Sequence, residues 1–174
     1  MLWIAIASLA PILLAQACGT SEGEEHFNRG AGLAEQDRWK EAIEEYTAAI
    51  DLGSNLADAY ANRGLAYRNL GQHDRAIADF DKATALEPDY LAAYTLGGLS
   101  HVQLGQFEQA IIDFNRAILL DPNDSLLYFS RAAAHEELGN VEEAIRDLER
   151  AISLTSDSET IAEALAAIEA LREE

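Results

Sequence analysis

The chain has 174 residues, 49% hydrophobic and 25% charged, a globular balance on a length suited to one domain or two small ones. Acidic residues outnumber basic ones 31 to 12, for a formal charge of −19, which argues against a nucleic-acid partner and against docking a folded surface on an anionic membrane. A single cysteine leaves no internal disulfide and no cysteine-rich metal site.

Met1 to Ala17 carry no charge, and only Ser8, Pro11 and Gln16 interrupt their apolar character. The run is short for a membrane span of ~20 residues but suits the apolar stretch of a secretory signal. Ala15-Gln16-Ala17 supplies a small-x-small cleavage site, and Cys18 follows it directly. This segment resembles the N-terminus of a bacterial lipoprotein, although Ala15 stands where the leucine of a typical lipobox would. The resemblance implies a signal peptide over residues 1–17, acylation of Cys18, and an exported, membrane-anchored protein of the cell envelope. An ordinary cleaved signal, leaving a soluble secreted or periplasmic protein, and a retained signal-anchor fit the same residues. The Gly/Ser/Glu-rich residues 18–25 are expected as a flexible tether.

From there a 34-residue period runs through the chain. Asn28-Arg29-Gly30, Asn62-Arg63-Gly64, Leu96-Gly97-Gly98 and Ser130-Arg131-Ala132 fall in register, as do Glu41-Ala42-Ile43, Arg75-Ala76-Ile77, Gln109-Ala110-Ile111 and Glu143-Ala144-Ile145. Four units result, at 23–56, 57–90, 91–124 and 125–158. Each carries two apolar bursts at helical spacing. Gly71, Gly105 and Gly139 lie between the bursts, where a helix closes in the left-handed conformation. Pro88 and Pro122 forbid continuation of the second helices. Residues 159–174 break the period; Ile161, Ala164, Leu165, Ile168 and Leu171 predict the apolar stripe of a capping helix, with Asp157 or Ser158 at its start.

These units resemble the tetratricopeptide repeat. The second reads Tyr60, Gly64, Tyr67, Ala76, Phe80, Ala83, Pro88, and the third Tyr94, Gly98, His101, Ala110, Phe114, Ala117, Pro122. The fourth replaces the proline with Ser156, and the first is weakest at its front, with His26 in the aromatic place. The resemblance implies an all-α, right-handed superhelical solenoid of four helix-turn-helix units plus the C-terminal capping helix. It also implies a concave groove lined by the first helix of each unit, in which a protein or peptide partner lies. Carried onto this sequence, the groove residues are Phe27, Asn28 and Ala31; Ala61, Asn62, Leu65, Arg68 and Asn69; Thr95, Leu99 and Val102; Phe129 and Ala133.

Chaperone-adaptor members of that family clamp a C-terminal carboxylate with a set of lysines, asparagines and an arginine. Those places here hold Phe27, Ala31, Asn62, Ala92 and Leu96, so that mode is not expected. Ala92 to Leu104 contains no Asp, Glu, Lys or Arg, which predicts an apolar stretch of groove. His101 and His135 occupy one repeat position, about 10 Å apart by helix packing, too far to share a metal ion; both are expected in internal packing places. His26 and His73 are expected as solvated surface residues, and the paired glutamates as outer-face charge. No phosphate loop, nucleophile signature or zinc spacing is present. The expectation is a non-catalytic scaffold without metal or cofactor, with self-assembly through the groove or last helix as the alternative.

Overall fold

The computed structural model describes residues 21–173; the expected signal segment and Cys18 lie outside the described residues. Among the described residues the fold is nine helices with no strand: α1 (Glu22–Ala34), α2 (Trp39–Asp51), α3 (Leu56–Asn69), α4 (His73–Leu86), α5 (Leu91–Gln103), α6 (Phe107–Leu120), α7 (Ser125–Glu137), α8 (Val141–Leu154) and α9 (Ser158–Glu173). They form four consecutive hairpins and one closing helix, the solenoid that the repeat pattern implies.

Residues 22–25 are helical rather than part of a tether. Ser21 Oγ accepts from the Glu24 N–H at 3.2 Å, and the Glu24 carboxylate accepts from the Ser21 N–H at 3.0 Å. This reciprocal capping satisfies two otherwise orphaned donors and starts α1 a turn earlier than composition suggested. Gly23 is then buried against Ser54.

Each hairpin turns in the same way. Gly71, Gly105 and Gly139 have φ near +70°, and the next N–H reaches back to close the helix, as Gln72 does to Tyr67 O at 2.9 Å. The first unit makes this turn with Asp37 at φ 57°, and Arg38 N–H bonds Leu33 O at 3.0 Å. Aspartate tolerates the left-handed region better than most side chains, so the period survives without its glycine there.

Within each hairpin a small residue on the first helix faces a large one on the second. Gly30, Gly64 and Gly98 lie under the rings of Tyr46, Phe80 and Phe114, so close that an added Cβ would stand 2.7–2.9 Å from ring carbon. Ala42, Ala76, Ala110 and Ala144 are fully buried where the helices cross. Successive hairpins share the remaining apolar surface: Phe80 and Ala83 of α4 sit in one cluster with Ala93 of α5, and Phe114 of α6 with Ala134 of α7.

Asp157 caps α9, accepting from the Thr160 N–H at 2.9 Å. Ala164, Ile168 and Leu171 are buried against Leu148 and Ala144. Leu165 departs from the expected stripe and is 53% exposed. It follows Ala164 by one residue, a rotation of about 100° out of the contact.

Candidate interaction groove

Contacts from α1 to α3, α3 to α5 and α5 to α7 bring the first helices together as one wall, while each second helix chiefly meets the first helices beside it. The wall is therefore the inner face of the array.

The sequence-derived groove residues divide on this wall. Asn28, Asn69 and Ala133 are exposed; Phe27, Ala31, Asn62, Leu65, Arg68 and Thr95 are half-buried. Leu99 and Val102 are half-buried and pack on the Ala110–Phe114–Ala134 cluster, and Phe129 packs on that of α8 and α9. These three offer one side to the groove and give the other to the core. Ala61 is a correction: it is 7% exposed and belongs to the cluster of Phe80 and Ala93, because the next hairpin closes over it.

Three polar groups on this wall are engaged locally. Asn69 Nδ2 donates to Leu65 O at 3.0 Å, and Thr95 Oγ1 donates to Leu91 O at 3.0 Å. The Tyr90 hydroxyl, just before α5, donates to Asp58 of α3 at 2.7 Å; burial first, and that carboxylate second, push the Tyr90 phenol well up. Arg68 differs, burying its Nε with no acceptor among the described residues.

A ladder of ion pairs, which sequence reasoning missed, crosses units one, two and four at a spacing of 16 residues. The Arg63 guanidinium donates twice to Asp79, both bonds at 2.8 Å, and its third nitrogen donates to Thr47 Oγ1 of the preceding unit at 3.0 Å. It also lies over the rings of Tyr60 and Tyr67, at 5.5 and 5.9 Å. Arg131 repeats the arrangement with Asp147 at 2.7 and 2.6 Å, with Asn115 of the preceding unit, and over Tyr128. In unit one Arg29 donates to Glu45 at 3.1 Å. His26, expected as a solvated residue, places Nδ1 2.7 Å from the same carboxylate. Burial pushes Glu45 up, but these two partners outweigh it and hold the carboxyl below its ordinary range. Glu45 is thus not simple outer-face charge.

His101 and His135 close hairpin turns. His101 Nδ1 is 2.7 Å from Gln106 Oε1, and His135 Nδ1 is 3.4 Å from Asn140 Nδ2. Among the described residues no group of three or more His, Cys, Asp or Glu is placed to hold a metal ion, and no helix is long and apolar enough to cross a membrane.

Comparison with known proteins adds a family pattern to this geometry. Tetratricopeptide repeat models match residues 57–90 and 98–169, and a TPR repeat model matches residues 30–71. No curated protein sequence matches. Among solved structures, MamA residues 41 to the end from Desulfovibrio magneticus RS-1 is similar at TM-score 0.75 and 19% identity, over 90% of this chain and 98% of that one. YrrB, described as a TPR protein with an unusual peptide-binding site, is similar at TM-score 0.75 and 20% identity, over 84% and 74%. The first TPR of Spaghetti (RPAP3) bound to the HSP90 peptide SRMEEVD is similar at TM-score 0.62 and 28% identity, over 67% and 94%.

Proposed function

Because the chain belongs to the tetratricopeptide repeat family, we propose that it is a non-catalytic scaffold of the bacterial cell envelope that holds a peptide or helix of a protein partner along α1, α3, α5 and α7. The observation that carries this reading is the charge-free α5 in a chain of net charge −19. Thr95, Leu96, Leu99 and Val102 of that helix are half-buried, with exposed Ala92 and Ala133 in line on α5 and α7. An apolar strip in a strongly acidic surface is a place where a partner can shed water without facing repulsion. Arg68, half-buried on the neighbouring α3, is a cation on this wall suited to a partner's carboxylate. YrrB and the RPAP3 domain are both described in connection with peptides, which supports a peptide occupant here.

A photo-crosslinking amino acid at Ala92 or Ala133 of the full chain is expected to capture the same partner polypeptide. At Ile112 and Leu119, which are 59% and 74% exposed on α6, it is expected to capture none. Adducts only from α6, or a crosslinked dimer of this chain, would replace the groove reading with an outer-face or self-assembly one.

Membrane anchoring through Cys18 belongs to the same proposal and is supported by the residues before it. Cys18→Ser is expected to shift the full chain from the membrane to the soluble fraction. Unchanged membrane retention would instead favour an uncleaved anchor.

A further inference from the structure

The ladder of ion pairs is broken in one unit. Stepping by the repeat length from Arg29, Arg63 and Arg131, the equivalent residue in unit three is Gly97. The carboxylate remains, as Asp113 on α6, aligned with Glu45, Asp79 and Asp147. The acceptor on the preceding unit, Thr47 for Arg63 and Asn115 for Arg131, is here Asp81 on α4. A cation is thus removed from this junction while an extra carboxylate is added.

Asp113 has drawn into the vacated space: its Oδ2 stands 2.9 Å from where a Cβ on Gly97 would be. Its side chain is 21% exposed, and its nearest basic group is His101 Nε2 of α5 at 3.7 Å, outside hydrogen-bond distance. Arg131 of α7 is committed to Asp147 and Asn115. The charged or titratable groups acting on Asp113 are therefore Asp81 from α4 and His101 from α5.

We propose that the third unit is a proton-sensitive joint, in which the α5–α6 hairpin is held firmly while Asp113 is neutral and loosens when it ionises. Burial pushes Asp113 up to about 6, against the partial opposition of His101 and with the help of Asp81. A carboxyl whose folded value lies above its unfolded one favours the folded state at low pH. That advantage fades as pH rises from about 4 to about 6. Glu41 and Glu45, held low by their arginine and histidine partners, and Glu143, held low first by a backbone hydrogen bond, are shifted in the opposite direction and lose stability as pH falls. His135, pushed down mainly by burial, gives unit four the opposite trend, losing stability as pH falls. The joint is therefore distinguishable from a uniform acid response.

The test is residue-resolved amide exchange of the full chain at pH 5.0 and 7.5, corrected for intrinsic rates. Opening of the α5 and α6 amides is expected to be about tenfold more frequent at pH 7.5, with no such increase in α3 and α4. Asp113→Asn is expected to remove the step. Gly97→Arg restores the missing guanidinium and is expected to remove it as well, through pairing, while keeping the aspartate. In His101→Gln the step should persist and move to higher pH. No step in the wild type, a step that survives Asp113→Asn, or one abolished by His101→Gln would overturn the proposal.

Discussion

Arg131→Ala is expected to lower the unfolding free energy by about 3 kcal/mol, a loss of the size found when one partner of a buried ion pair is removed. The Arg131 and Asp147 side chains are only 19% and 9% exposed, and the guanidinium makes both bonds to the carboxylate. Alanine leaves Asp147 without a cation, deprives Asn115 of its donor and uncovers the Tyr128 ring. Most of the cost is the stranded charge, so Asp147→Asn in the same chain should recover part of it. Urea unfolding followed by circular dichroism checks this through the midpoint at constant m-value. A loss below about 1 kcal/mol would class the pair with exposed surface bridges, which contribute little.

Phe114→Ala should cost about 4 kcal/mol, the usual scale for deleting a fully buried aromatic ring. Phe114 is 0% exposed, and its ring fills the gap between two units as well as the gap between its own helices. Its partner surface is Gly98, where an added Cβ would stand 2.7 Å from Cε1. The two positions are therefore complementary in volume, and their substitutions should not add. Gly98→Leu alone forces α5 from α6 and destabilises; combined with Phe114→Ala, the leucine enters the vacated volume and the pair costs less than the sum. Additive losses in thermal unfolding would mean that the close approach at Gly98 is not what sets the distance between the helices.

This complementarity was legible in the chain, because a small residue and an aromatic recur at fixed offsets in all but the last unit, where Ala132 and Leu148 take the two places. The turns were legible for the same reason, and Asp37 fits the pattern once position outweighs residue type. The ladder was less visible. Arg63 and Asp79 sit 16 residues apart on different helices, and nothing local marks either as buried. Single charges on helices are read as solvated by default. The available signal was their recurrence: arginine precedes the small residue in three units, and a carboxylate stands 16 residues later in all four. A solvated charge has no reason to keep such a register.

The groove was legible in outline but not residue by residue. Positions one step from a packing residue lie near the edge of a helical contact, so the neighbouring hairpin decides which are covered. Ala61 is covered and Ala133 is not. The early start of α1 escaped notice because Ser21 and Glu24 read as a polar spacer by composition and as a capping box only once the helix after them exists.

The claim on which the account rests is that the partner lies on the wall of first helices. Titration calorimetry of the crosslinked partner segment against the wild type, Ala133→Trp and Ile112→Trp tests it most directly. Both sites are exposed, so either tryptophan should leave the thermal midpoint unchanged. The account predicts that Ala133→Trp weakens binding at least about tenfold, the scale of one blocked contact, while Ile112→Trp leaves it unaltered. Equal affinities for all three chains, or a loss confined to Ile112→Trp, would contradict it.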